Sequence, residues 1–391
     1  MLGLLKSQKL HFLNTMKKKF SLKDHLFNRE TVTYLAGLLS NADVKFDGEK
    51  FVGDVMNKLL KLELKERIVW IAEALEQHLP KDFKKASTLI TKALPLSLDP
   101  TKTDDDFGSF IFAPLGEFVV RNGLKKEHLD DSFILLHELT RRFSMEDAMR
   151  AFINTFPKQT LSLYKKWVKD KNYHVRRLVS ESTRPMLPWS KRILLAPEVS
   201  TQYLDVLYAD KTRYVTRSVA NHLNDIAKKN GALVVTTLTR WKKEGKQDVK
   251  ELEWMTKHAL RTLVKRGNKD ALALLGFRHD VKARVEQFSL SQSSKRIKGG
   301  DILSFSFSVR GIVDEALILD YIIDFVKKGG HTKPKVFKIK KLSIKKGEVV
   351  KVSKNLRLHA DATTFTLNAG IHTLTLQING QKFDTVDFEV L

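Results

Sequence analysis

The chain has 391 residues, 42% of them hydrophobic, which is more than one compact domain usually holds. Lys plus Arg number 69 against 45 Asp plus Glu, a formal net charge of +24. That excess fits an acidic polymer, and nucleic acid before anionic membrane because the basic residues run along the whole chain. Cysteine is absent, which excludes disulfides, thiolate metal sites and cysteine nucleophiles, and no apolar run approaches the roughly 18 residues of a membrane span.

Residues 1–21 read as a basic extension. Lys6, Lys9, Lys17, Lys18 and Lys19 precede the first acid, Asp24, and neither the apolar core nor the cleavage site of a secretory signal is present. Met16, followed by three lysines, reads as an alternative start. From Leu22 to Arg278 apolar residues recur at helical spacing between short polar breaks, so this region is expected to be all-α. It also repeats. Asp170-Lys-Asn-Tyr-His-Val-Arg-Arg-Leu-Val179 aligns without a gap to Asp210-Lys-Thr-Arg-Tyr-Val-Thr-Arg-Ser-Val219, forty residues on, and forty more reach Lys257-His-Ala-Leu-Arg261. A helical period of 40 predicts HEAT-like pairs stacked as a solenoid whose concave side is lined by one ridge of helices.

After Arg284 the pattern changes to alternation. Strands are expected at Phe288-Ser-Leu-Ser, Ile302–Val309, Leu317–Val326, Val336–Ile344, Gly347–Val352, Thr364–Leu367, Thr373–Ile378 and Phe383–Val390. Asn379-Gly380 has the chemistry of a tight hairpin. Such short strands over about 105 residues suggest an immunoglobulin-like sandwich. The predicted organisation is multidomain α + β: the extension 1–21, a helical-repeat domain over 22–284, and an all-β sandwich over 285–391.

On the ridge, Arg177, Glu181 and Arg184 share one polar stripe, and the next repeat supplies Arg217, Asn221 and Asp225 at i, i+4 and i+8. Carboxylates on a basic ridge repel phosphate, so either they lock neighbouring helices in ion pairs or they face a cation. A base alkylated at a ring nitrogen is such a cation, and its departure leaves a sugar that is also positive. Fixed carboxylates stabilise both and can deprotonate the attacking water. Trp189 lies eight residues after Glu181, beyond Arg184-Pro-Met-Leu-Pro188, a rigid turn that could aim it into the cleft. Trp167 and Trp254, at helical spacing, read as core. Glu146 falls in the first turn of a helix that Ser144 is expected to start, a position that the helix dipole alone favours for an acid.

Five ordered segments carry a resemblance: Ser144-Met-Glu-Asp-Ala-Met-Arg150, His174-Val-Arg-Arg-Leu-Val-Ser-Glu181, Thr183-Arg-Pro-Met-Leu-Pro-Trp189, Arg217-Ser-Val-Ala-Asn-His-Leu-Asn-Asp-Ile226 and His258-Ala-Leu-Arg-Thr-Leu263. Over Leu22 to Phe277 the chain resembles the AlkC branch of the HEAT-like alkyl-DNA glycosylases, some of which are similar in carrying a C-terminal immunoglobulin-like domain. The resemblance implies monofunctional excision of 3-methylcytosine and 3-methyladenine from duplex DNA, in base excision repair and without base flipping. By motif position it implies Asp225, Glu181, Glu146 and Trp189 as active-site residues, with Asp225 first for the water or the sugar cation. Ser182, Met149 and Ala151 depart from the usual Gly, Ile and Pro, which bears on lesion preference.

Arg150, Arg177, Arg184, Arg217 and Arg261 are expected to anchor phosphates or orient the carboxylates. The sandwich carries many lysines between Lys327 and Lys354, among them Lys340 and Lys341. They form either a solubilising face or a second DNA clamp. No metal or organic cofactor is needed for this chemistry. The expected partner is alkylated duplex DNA, without membrane or obligate protein partner, in the bacterial cytoplasm at the nucleoid. The competing readings are a DNA-binding helical-repeat scaffold without catalysis and a protein-interaction module for acidic partners.

Overall fold

Short polar side chains start seven of the helices among the described residues. Asn28, Asp47, Asp82, Asn172, Asn230, Asp248 and Asn268 each accept a backbone N–H from the first turn that follows. Pro114, Pro157 and Pro197 occupy the first turn of three more, where a missing N–H costs nothing. The computed structural model describes residues 21–104, 107–359 and 365–391, so nearly all of the expected basic extension lies outside the described residues.

Among the described residues, helices run at α1 (Leu22–Leu26), α2 (Arg29–Ala42), α3 (Gly48–Met56), α4 (Leu64–His78), α5 (Phe83–Ala93), α6 (Ala113–Gly123), α7 (Leu129–Thr140), α8 (Glu146–Thr155), α9 (Pro157–Trp167), α10 (Tyr173–Ser182), α11 (Pro197–Leu207), α12 (Arg213–Ala227), α13 (Gly231–Glu244), α14 (Val249–Ala259), α15 (Arg261–Lys265) and α16 (Lys269–Leu274). None of them is long and apolar enough to cross a membrane. The chain divides into two compact units, one ending at Ser218 and the other running Val219–Leu391.

In the first unit α4 packs on α6, α5 on α7, α6 on α8 and α8 on α10, the stepped pairing expected of a helical repeat. The forty-residue period has a physical basis. Asp170 and Asp210 each accept a backbone N–H two residues on, from Asn172 at 2.7 Å and Thr212 at 2.9 Å, which turns the chain into the next helix. Each also takes a hydrogen bond from the preceding repeat, Asp170 at 2.9 Å from His137 and Asp210 at 2.5 Å from Arg176. These aspartates therefore bind turn and neighbour together. Trp167 is buried against Tyr164 and His137, as a core residue.

The second unit joins α13–α16 to a two-sheet sandwich. Its strands are β1 (Ala283–Leu290), β2 (Arg296–Ile297), β3 (Ile302–Gly311), β4 (Glu315–Val326), β5 (Thr332–Ile344), β6 (Val349–Arg357), β7 (Gly370–Ile378) and β8 (Gln381–Val390). One sheet has the order β1-β3-β6 and the other β2-β8-β7-β4-β5. Alternate residues of β3, β4 and β7, including Phe305, Phe307, Tyr321, Ile323, Leu374 and Leu376, fill the space between the sheets. Asn379 and Gly380 both adopt positive φ (45° and 80°) in the β7–β8 hairpin, as their dipeptide predicts. That turn also meets the helical end of the unit, where a Cβ on Gly380 would lie 2.0 Å from the Gly267 Cα. Gln377 and Asn379 donate to the backbone carbonyls of Lys265 and Arg278 beside it.

Two expectations change. Thr364 lies outside the described residues, and Phe365–Leu367 form no strand, because Phe365 stacks on Phe325 at 4.5 Å and serves the core from a loop. β2 was not expected: two residues pair in parallel with the end of β8.

Candidate active site

Glu146 is the first residue of α8, and its carboxylate opens onto a cleft of about 350 Å³ in the first unit. Phe110, Phe143, Met145, Leu187 and Pro188 line its apolar wall, with Trp189 among them; Glu117, Asp147 and Lys65 supply the charged groups. The rings of Phe110 and Phe143 lie 4.5 Å apart. The cleft is thus mainly apolar and carries an acidic edge, a combination suited to a flat cation.

Ser144 does not start α8. Met145 occupies the cap without a side-chain hydrogen bond, and the Ser144 hydroxyl instead accepts from Arg177 at 2.6 Å. Arg177 reaches from α10 with its side chain 12% exposed and lies between two carboxylates, 3.4 Å from Glu146 Oε2 and 3.4 Å from Glu181 Oε1. The Tyr214 ring covers its guanidinium at 4.9 Å. Glu181 is buried and also takes hydrogen bonds from Arg184 at 2.7 Å and from the Ser218 hydroxyl at 2.6 Å.

The two acids are held in different states. Burial works against ionised Glu181, but Arg177, Arg184 and Ser218 outweigh it, and its pKa falls below the usual carboxylate value. For Glu146 burial dominates, Arg177 opposes it and Glu181 adds repulsion, so its pKa rises. Glu117, on α6, is raised as well, first by desolvation. A pair of neighbouring carboxylates pushed in opposite directions is a frequent mark of acid–base machinery.

Trp189 is 72% exposed and has φ +74°, a left-handed backbone that a bulky residue rarely adopts. It follows the Pro188 turn and lines the same cleft as Glu146. Asp225 belongs to the second unit, on α12. It is buried and 2.8 Å from Lys228. Trp254 is partly buried and stacks on His258 at 5.0 Å.

The arginines part company. Arg150 is corrected from phosphate anchor to buried support: it is 1% exposed and donates to the carbonyls of Ser182, Arg184 and Lys191. Arg177 and Arg184 are held in the ion pairs given above. Arg217 pairs with Asp104 while 30% of its side chain meets solvent. Arg261 donates to Asn221 at 2.9 Å and to the His258 carbonyl. Lys340 and Lys341 are exposed on β5, the edge strand of its sheet, and the Lys341 ammonium sits over the Phe277 ring. Sequence reasoning missed Glu117, Tyr214, Ser218 and Asn154. Only Asn154 left a readable signal, standing at i+8 from Glu146 on one helix face.

The comparisons with known proteins bear on this geometry. The chain is 32% identical to the protein YhaZ of Bacillus subtilis (strain 168), itself uncharacterised, over 93% of this chain and 98% of that one. Its fold matches the Pseudomonas fluorescens alkylpurine DNA glycosylase AlkC, solved bound to DNA containing an abasic site analogue, with a TM-score of 0.85 and 30% identity over 95% of this chain and all of the other. The chain belongs to the AlkC family of alkyl-DNA glycosylases. Residues 284–391 match the family model described as "Uncharacterised protein YhaZ, C-terminal Ig-like domain". The AlkC-type helical region and immunoglobulin-like domain are therefore both present.

Proposed function

We propose that the chain is a monofunctional DNA glycosylase that hydrolyses the N-glycosidic bond of cationic alkylated bases, 3-methyladenine and 3-methylcytosine, in duplex DNA. The observation that carries the reading is the cleft that Glu146 and Trp189 both line, with Glu146 and Glu181 sharing Arg177 as an ion-pair partner. As the C1′–N bond breaks, its electron pair leaves with the base and cancels the base's positive charge. The sugar then carries the charge, and ionised carboxylates beside it lower the barrier.

Water adds its oxygen to C1′ and gives a proton to a carboxylate, leaving an abasic sugar and a free base. Glu146, whose pKa burial raises, is the carboxylate proposed for that proton transfer. Glu181 supplies fixed negative charge, and Trp189 offers an aromatic face to the cationic base or the deoxyribose. From its motif position, Asp225 is proposed as a further acid of the reaction, for the water or the sugar cation. Exposed Lys340 and Lys341 are proposed as backbone contacts, with the partly exposed Arg217, and a net charge of +24 supports binding without sequence preference. We also propose excision without base flipping, in the bacterial cytoplasm where the chromosome lies. The test is incubation with a duplex holding one 3-methyladenine or 3-methylcytosine, followed by chromatography of free base and alkaline cleavage at abasic sites. Binding without release of either base would leave the non-catalytic scaffold as the reading.

A further inference from the structure

A bulky residue at φ +74° costs roughly 1–3 kcal/mol and persists only when its surroundings over-determine it. The exposed indole of Trp189 contributes little packing, so the constraint must act through the backbone on either side. Arg150 supplies it. Its guanidinium donates to Ser182 O at 3.0 Å and Arg184 O at 2.8 Å before the turn, and to Lys191 O at 2.6 Å after it. Asn154 adds two bonds further along, donating to Arg192 O at 3.0 Å and accepting from Leu194 N at 3.0 Å.

Glu146, Arg150 and Asn154 stand at i, i+4 and i+8 on α8, so they lie along one face of a single rigid element. The helix that presents the acid also clamps both flanks of the aromatic turn. We infer that Arg150 and Asn154 are positioning residues that hold Trp189 at the cleft that Glu146 also lines. This rests on the function proposed above. Arg150 acts through the backbone, since its buried guanidinium donates to carbonyls on both sides of the Trp189 turn. Arginine is required because lysine cannot bridge carbonyls on both sides of the turn.

The test combines two readouts on the full chain. Acrylamide quenching of Trp189, taken as the difference between each variant and its Trp189→Phe counterpart, reports the order of the turn without DNA. Single-turnover base release and DNA affinity report its consequence. For Asn154→Ala and Arg150→Lys, Trp189 quenching is expected to rise by up to about 1.4-fold, the indole being 72% exposed already. Release should fall about tenfold to a hundredfold, as small misplacements of a reacting group do, with DNA affinity unchanged. Asn154→Asp, which keeps the acceptor for Leu194 N, should recover part of both. Asn154 is partly exposed, so its variants serve even if Arg150→Lys fails to fold. Unchanged quenching in folded variants would overturn the clamp, and increased quenching with an unchanged rate would overturn positioning. If the parent protein releases no base, the proposed function fails, while the quenching still decides whether the clamp exists.

Discussion

Replacing Arg177 by glutamine removes the cation shared by Glu146 and Glu181, each 3.4 Å away. At an effective dielectric near 20, one such pair is worth about 5 kcal/mol. Arg177 divides its charge between two acids, and a quarter of the Glu146 side chain meets solvent, so about half of that, or roughly 2–3 kcal/mol, is a fair share. Losing that attraction moves the Glu146 titration upward. The sign is fixed by the groups that face Glu146: burial and Glu181 already raise it, Tyr214 and Arg150 lie nearby, and Arg177 is the cation that opposes the rise.

A reaction that needs ionised Glu146 should therefore lose activity at neutral pH and regain it as pH increases. The assay is a pH profile of single-turnover base release for the parent, Arg177→Gln and Arg177→Lys. The acid limb is expected to move upward in the glutamine variant and by less in the lysine variant. DNA affinity should change little, because Arg177 faces carboxylates and a tyrosine ring rather than solvent. A glutamine profile that falls equally at every pH would refute control of Glu146 by Arg177.

Trp189→Ala should slow base release about tenfold or more, yet leave the denaturant midpoint within about 0.5 kcal/mol of the parent, since the indole is exposed; a large loss of stability would show that it packs instead. Glu117→Gln should raise Tm at pH 7 by no more than ~2 °C, the group being partly solvated. Glu117 has a raised pKa in the fold, so its ionised form weakens the protein as pH climbs above the usual carboxylate value. The gain should vanish in acid, where the parent glutamate is protonated, and a gain that persists there would contradict the assignment. Gly380→Ala places a Cβ 2.0 Å from the Gly267 backbone at a positive φ, and should cost the second unit about 2–4 kcal/mol in a denaturant titration. An unchanged midpoint would deny the close approach.

Much of the fold was legible because its periods reflect local chemistry. The alignment of Asp170 with Asp210 marks a turn and an inter-repeat bond made twice, and Asn379-Gly380 selected its hairpin through the positive φ of both residues. β2 was invisible because two residues carry no period and owe their strand to β8. Phe365 looked like strand because an aromatic serving a core from a loop has the same composition as one in a sheet. At the site, Glu146 and Trp189 were found through motifs, and they line one cleft. Arg150 could not be distinguished by sequence from a surface arginine, because its burial depends on carbonyls at Ser182, Arg184 and Lys191 that tertiary folding delivers. Glu117 had no pattern at all, since its helix reaches the cleft only through packing.

The most direct measurement is the free base liberated from a duplex carrying a single 3-methyladenine, by the parent protein and by Glu146→Gln and Asp225→Asn. The parent should release base and leave an alkali-labile abasic site, while both variants bind the duplex normally and release at least a hundredfold more slowly, the order of loss for a group that moves a proton in the transition state. Turnover by both variants at the parent's rate, or no release by the parent, would contradict carboxylate-assisted excision.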